Sequence, residues 1–288
     1  MKTALNYHSK LIAYKKECES HYTSDVLVRS RDFQQFCRNV YRLLKIQTKE
    51  DYIAWYRKLQ FNRRRASLEQ QVPLKDLPME NLSDFKKEMS VLDEQPHLIS
   101  TFHLGSYRLL PRLLSEWGHK LAIILSEDIV QQQGDFFIRQ AQSTAAGQVA
   151  LLNSSDASLF RKIIRLLSEG YHVLLYLDGG TGLQDMSRTK HLMEVPFLKR
   201  TLMQRSALFE LADRLNYPVI CATMGYDERR IVAEMHRRWH GEDGEPRENA
   251  TAILRQSYGF LEALISRNAP SWEGWLYSLP LKRLDIEE

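Results

Sequence analysis

Apolar residues recur three and four positions apart through the first third of the chain. Phe33, Phe36, Cys37, Val40, Tyr41 and Leu44 fall on one face of a helix. Tyr52, Ile53, Tyr56 and Leu59 carry the same period into the charged stretch Asn62-Arg63-Arg64-Arg65, and Pro73 and Pro78 then interrupt it. No β-like run stands out before residue 95, so segment 1–95 is predicted to be helical throughout. After Pro96 the pattern shortens. Apolar runs at 98–102, 121–125, 173–177 and 219–223 have the length and composition of strands. Helical patterns separate them. One such helix has N-cap candidates in Ser154, Ser155 and Asp156, an apolar stripe in Leu159, Ile163, Leu166 and Leu167, and a stop at Gly170. Another covers 206–215 and ends at Asn216-Tyr217-Pro218, where proline forbids continuation. Gly241-Glu242-Asp243-Gly244-Glu245-Pro246 reads as a turn region before a last helix over 249–265. This alternation predicts an α/β domain over 96–288, with a mostly parallel or mixed central sheet flanked by helices.

Composition narrows the class. The chain has 288 residues, 43% apolar and 26% charged, enough to bury a substantial core and unlike a disordered or low-complexity protein. Its longest apolar runs, 121–125 and 173–177, are far shorter than the roughly 20 residues of a membrane-spanning helix. The opening residues hold no apolar stretch of signal-peptide length, so a cytoplasmic location is expected, with peripheral membrane contact left open. Cys18, Cys37 and Cys221 are far apart and form no C-x-x-C pair, which argues for ordinary thiols and against a disulfide framework or zinc site. A net charge of +4 is too small for the dense basic patches of nucleic-acid binders, and it is compatible with an acidic protein partner.

The chemistry concentrates in Leu98-Ile99-Ser100-Thr101-Phe102-His103-Leu104-Gly105-Ser106-Tyr107-Arg108, a strand running into a glycine-containing loop and then a helix. His103 stands at the carboxyl end of that strand, the edge at which open α/β sheets bind ligands. A histidine there is a candidate general base, although a lone residue so placed is more often a capping or packing group. This unit resembles the first motif of the lysophospholipid acyltransferase superfamily, a His followed five positions later by Asp or Glu, and above all the lipid A late acyltransferase branch. Three more stretches resemble that branch in the same order. They are Leu174-Leu175-Tyr176-Leu177-Asp178-Gly179-Gly180, then Val195-Pro196-Phe197-Leu198-Lys199-Arg200 with Tyr217-Pro218-Val219-Ile220 behind it, and then Pro270-Ser271-Trp272-Glu273-Gly274-Trp275-Leu276.

The resemblance implies transfer of an acyl group from a phosphopantetheine thioester, on acyl carrier protein or coenzyme A, to a hydroxyl or amine. His103 would be the base. The chain departs from the family at Arg108, which stands where the carboxylate is expected. Three readings of Arg108 stand. It turns to solvent while Asp178, or secondarily Glu116, supports His103; it binds an anionic substrate group through its two-pronged guanidinium; or the site is catalytically silent and the fold is a binding module. The turn Asp178-Gly179-Gly180-Thr181-Gly182 lacks the arginine that grips phosphate in the glycerophospholipid branch, and no apolar anchoring helix is visible. A soluble or carrier-bound acceptor is therefore expected. An amine would tolerate a weakened base best, because it attacks before losing its proton.

The resemblance thus implies an acyltransferase of specialised-metabolite or lipid-like biosynthesis. His103 and Asp178 form its catalytic pair, and Arg108, Ser106, Gly179, Gly180 and Thr181 contact substrate, with backbone N–H groups of the glycine turn available to an oxyanion. Lys199, Arg200, Arg229 and Arg230 would dock an acidic carrier, with Arg63 to Arg65 and Arg237-Arg238 as further cationic points. Trp239, Trp272 and Trp275 line an acyl pocket or belong to the core. His236 and His240 have helical metal-pair spacing, but Arg237-Arg238 between them argues against a metal, and none is expected. Ser106 lacks the second glycine of a G-x-S-x-G elbow, which disfavours a serine hydrolase. The competing class is a noncatalytic acyl-carrier or acyl-chain binding protein on the same fold.

Overall fold

A computed structural model describes residues 2–44, 48–132, 148–179, 192–227, 230–239 and 249–282. The first part supplies helices α1 (Lys2–His21), α2 (Ser24–Val28), α3 (Arg31–Leu44), α4 (Lys49–Glu69) and α5 (Leu82–Glu88). Contrary to the all-helical reading, it also contains a two-residue strand, β1 (Met79–Glu80). Strand β2 (Leu98–Thr101), helix α6 (Leu109–Glu116), β3 (Leu121–Leu125) and β4 (Val149–Asn153) follow. Next come α7 (Leu159–Ser168), β5 (His172–Tyr176), β6 (Leu192–Phe197), β7 (Arg200–Arg205) and α8 (Ala207–Arg214). The chain then forms β8 (Val219–Asp227), β9 (Arg230–Trp239), α9 (Ala250–Asn268) and the 3-10 turns Ala269–Ser271 and Glu273–Leu276.

The expected α/β architecture is present: a seven-stranded sheet in the order β1-β9-β8-β2-β5-β3-β4, flanked by helices. Strands β8, β2, β5, β3 and β4 run parallel, and β9 turns back antiparallel to β8. The sheet is mixed because only two residues separate β8 from β9, a length that suits an antiparallel pair, whereas parallel pairs need crossovers. Strands β6 and β7 form a separate hairpin, paired from Leu192↔Arg205 to Phe197↔Arg200. Alternate residues divide between the two faces. Leu98, Phe102, Val173, Leu175 and Val219 pack with α3, α4, α7 and α9, whereas Ile99, Leu121, Ile123, Leu174 and Ile220 pack with α6 and Phe85 of α5.

Segment 1–95 shares this core. Asn39 of α3 donates to the Trp275 and Tyr277 carbonyls, both at 2.8 Å, and Asn62 of α4 donates to the Pro270 carbonyl at 3.0 Å. These two buried amides fasten the N-terminal helices to the segment after α9. Helix ends follow their predicted signals in part: the N-cap of α7 is Ser158, which makes no side-chain cap bond, and not Ser154, Ser155 or Asp156. Asp156 accepts from the Ser158 N–H at 2.7 Å ahead of α7, Asn249 accepts from the Ala252 N–H to cap α9, and Asn216 takes a left-handed φ of 58° before Pro218. The predicted turn at 241–246 lies outside the described residues. Among the described residues, no helix is long and apolar enough to cross a membrane.

Candidate active site

Two neighbouring parallel strands, β2 and β5, build the site. Their register pairs Thr101 with Tyr176, so the residues two further along, His103 and Asp178, come out side by side at the carboxyl edge. The Asp178 carboxylate accepts from His103 Nδ1 at 2.9 Å and from the His103 backbone N–H at 3.0 Å to each oxygen. Its Oδ2 also accepts from Trp272 Nε1 at 2.6 Å. With Nδ1–H committed to Asp178, the basic lone pair of the imidazole lies on Nε2. The Asp178 side chain is only 1% exposed while that of His103 is 18% exposed, so the pair has a sealed end and an open one.

Three tyrosines fix the ring. Tyr176 stacks on it at 4.6 Å, and Tyr107 and Tyr277 meet it edge-on at 4.8 and 5.3 Å. Burial first, and the neighbouring Glu273 carboxylate next, push the Tyr107 and Tyr277 phenols above their ordinary range; burial and then Tyr107 do the same for Tyr176. All three remain neutral hydrogen-bonding groups at neutral pH. Gly179 lets the chain pass close to the ring: a Cβ there would stand 3.3 Å from His103 Cε1. Its N–H turns back to the Tyr176 carbonyl at 3.4 Å.

The loop carrying His103 is clamped from both sides. On one side Glu273 N–H donates to the His103 carbonyl and Gly105 N–H to the Ser271 carbonyl; on the other, Ser106 N–H donates to Met224 O, each at 2.8 Å. Gly105 has φ +59°, and a Cβ would fall 2.4 Å from the Met224 carbonyl oxygen, so only glycine fits. Ser106, expected to contact substrate, is fully buried, and its hydroxyl donates to Glu69 Oε2 at 2.5 Å. Its role is to support the wall. Glu69 accepts three further bonds, from Tyr7, Arg65 and Tyr226, each at 2.7 Å.

Arg108 does not turn freely to solvent; it is half-buried. Its Nε donates to the Tyr107 hydroxyl at 2.8 Å, and that hydroxyl in turn lies 3.5 Å from Glu273 Oε2. Arg63 Nε stands 3.6 Å from the same Glu273 oxygen. Glu116, the second candidate support for His103, is paired with Arg112 at 3.1 Å instead. The triplet Arg63 to Arg65 is not a docking patch, because its members point to different carboxylates: Glu273, Glu17 and Glu69, with Arg65 itself buried. Lys199 is exposed and Arg200 half-buried at the β6–β7 turn. Arg230 pairs with Glu80 at 2.9 Å, and Arg238 with Glu94 at 2.6 Å. Gly180, Thr181, Gly182, Arg229 and His240 lie outside the described residues.

Trp239, Trp272 and Trp275 are all buried in the core. Sequence reasoning singled out Trp272 but missed its hydrogen bond to Asp178, and it missed Tyr107, Tyr176, Tyr277 and Glu273 as neighbours of His103. Tyr176 had a signal: it precedes Asp178 by two positions on a strand and so shares its face. His236 bonds Thr223 at 2.8 Å and stacks on Phe260 at 5.0 Å beside a cleft of about 360 Å³ that includes none of the predicted site residues. Among the described residues, no group of His, Cys, Asp and Glu could hold a metal ion. The three cysteines are free, with burial raising Cys221 to about 12.

Comparison of the sequence with protein-family models gives no match, and comparison with curated proteins gives no relative.

Proposed function

We propose that the protein is an acyltransferase. It would move an acyl group from a thioester on acyl carrier protein or coenzyme A to an amine or hydroxyl of a soluble or carrier-bound acceptor. The observation carrying this reading is the 2.9 Å bond between His103 Nδ1 and a buried Asp178 carboxylate at the carboxyl edge of a parallel sheet, with the other ring nitrogen making no hydrogen bond among the described residues. That arrangement suits a general base: the carboxylate fixes the tautomer and stabilises the imidazolium that forms. The resemblance of four ordered motifs to the lipid A late acyltransferase branch supports the same chemistry. Arg108 opposes it less than its position in the sequence suggests, since its guanidinium is engaged with Tyr107.

In the proposed reaction the acceptor nitrogen or oxygen attacks the thioester carbon and its proton passes to His103 Nε2. The carbon–sulfur bond then breaks, and the imidazolium returns the proton to the departing thiolate. The products are the amide or ester and the free thiol. The test is a panel of acyl thioesters of graded chain length, on pantetheine, coenzyme A and acyl carrier protein, incubated with small amines and alcohols and read by mass spectrometry. Amide or ester formed together with free thiol is expected. Thioester binding without product across the panel would replace this reading with the noncatalytic acyl-binding protein.

A further inference from the structure

The cations beside the site are not equivalent. Among the described residues Arg63, Arg65 and Arg112 each lie within 4 Å of a carboxylate, whereas the one hydrogen bond of Arg108 goes to a neutral phenol, Tyr107. Its Nη1 and Nη2 have no partner among these residues, and neither is sealed from solvent. The nearest acid, Glu273, is shared with Arg63. The other acid of the site, Asp178, is occupied by His103 and Trp272. A half-buried guanidinium has given up water without gaining a carboxylate of its own, an arrangement that an incoming anion completes.

Its location is as informative as its valence. The Tyr107 ring lies 4.8 Å from the His103 ring and 5.3 Å from the Arg108 guanidinium carbon. Arg108 also acts electrostatically on Tyr176, the ring stacked on His103. Base and cation therefore border one aromatic ring, and the guanidinium carbon is no farther from the imidazole than those two distances together, a reach open to a molecule whose nucleophile and charge are a few bonds apart. Because Nε is held by Tyr107, the guanidinium is presented with Nη1 and Nη2 outward, which matches the two oxygens of a carboxylate.

We propose that Arg108 is the specificity residue for the acceptor, and that the acceptor is an amine bearing a carboxylate near its nucleophilic nitrogen. This rests on the acyl-transfer reading above. The carboxylate docks on Arg108 Nη1 and Nη2, the free amine nitrogen lies at His103 Nε2, and the bonds made and broken are those of the amide-forming reaction already written. The carboxylate takes no part in bond making. It holds the nitrogen in place, so its loss raises the acceptor KM more than it lowers kcat.

The test uses matched amines differing only in carboxylate against carboxamide: L-leucine with L-leucinamide, and β-alanine with β-alaninamide, each at equal free-amine concentration with one accepted thioester. Wild-type protein is expected to favour the acid in kcat/KM by about tenfold or more, through acceptor KM. Arg108→Gln should bring the two within about twofold of each other, and Arg108→Lys should retain part of the preference. Equal kcat/KM for the pair in the wild type overturns the inference while leaving acyl transfer standing, and so does a preference that survives Arg108→Gln. The wild-type comparison decides the matter even if the glutamine variant does not fold. Transfer to alcohols but to no amine overturns this inference while leaving acyl transfer standing; absence of transfer to every amine and alcohol overturns the acyl-transfer reading, and this inference falls with it.

Discussion

Two buried carboxylates, Asp178 and Glu69, stand on opposite sides of the His103 loop, and both are saturated with donors. Glu69 accepts from Tyr7, Arg65, Ser106 and Tyr226, and its side chain has no exposure at all. Asp178 accepts from the His103 backbone, the His103 ring and Trp272. The difference lies in what the donors have left. Those of Glu69 end in the core; Arg65 even packs its guanidinium 4.0 Å over the Tyr226 ring. The principal donor to Asp178 has a second nitrogen on an 18% exposed ring. Burial and a charged partner alone therefore do not mark a functional site. What separates the two is unspent bonding capacity at an accessible edge, which among the described residues His103 Nε2 and the Arg108 Nη atoms supply, and the proposed function is built on it.

Asp178→Asn is the sharpest way to break the comparison. The amide cannot accept at both oxygens, so the ring loses its enforced tautomer, and kcat should fall by roughly 10²- to 10⁴-fold. The ¹⁵N shifts of the His103 ring check the cause: Nδ1 should carry the proton in the wild type and lose that preference in the variant. Glu69→Ala should do the reverse. It removes the carboxylate paired with the buried Arg65 and should cost about 3–5 kcal/mol of stability in urea unfolding, while the activity of the molecules still folded changes much less. Equal loss of activity per folded molecule in both variants would erase the distinction drawn between the two carboxylates.

A histidine without a carboxylate behind it sharpens the contrast further. His172 is buried beside His119 and His97, and burial first, then these neighbours, lower it to about 3; burial also lowers His236 to about 4. The unfolded chain takes up these protons near pH 6.5, before the folded one does. Stability is therefore full above about pH 6.5 and declines as the pH falls toward 4, at most about 1.4 kcal/mol per pH unit for each group. His172→Gln should flatten that slope in chemical denaturation between pH 4 and 6.5. An unchanged slope would remove His172 from the account of acid sensitivity.

The parts of this arrangement legible in the sequence are those with a periodic signature. The runs at 98–102 and 173–177 identified β2 and β5, and reading His103 and Asp178 off their ends sufficed to bring the two together. Strand β9 escaped because its outward positions are charged: Ile231 and Ala233 are buried, but Arg237 and Arg238 mask the alternation. The hairpin β6–β7 escaped for a related reason, since Glu194, Pro196 and Lys199 sit on its exposed side. Glu69 gave no signal at all. A glutamate at the end of a helix reads as surface, and only the tertiary placement of Tyr7, Ser106 and Tyr226 makes its burial affordable. The roles of Trp272 and Glu273 likewise depend on a contact between distant segments, which residue order does not encode.

The smallest expected effect belongs to the periphery. Lys199 and Arg200 occupy the β6–β7 turn, and reversing them to glutamate should lower kcat/KM for a carrier-linked donor only several-fold. The deficit should fade as salt shortens the Debye length to about 10 Å at 0.1 M. A comparable loss with a pantetheine thioester would assign the pair to the fold instead of to carrier docking.

The central claim is that His103 Nε2, held ready by Asp178, takes the acceptor's proton. Its most direct test is the rate of amide formation and thiol release, followed together, in the wild type and in His103→Ala at equal folded concentration. The account predicts that both signals fall in step by about 10²-fold or more. Amide and thiol appearing in His103→Ala at the wild-type rate would contradict it.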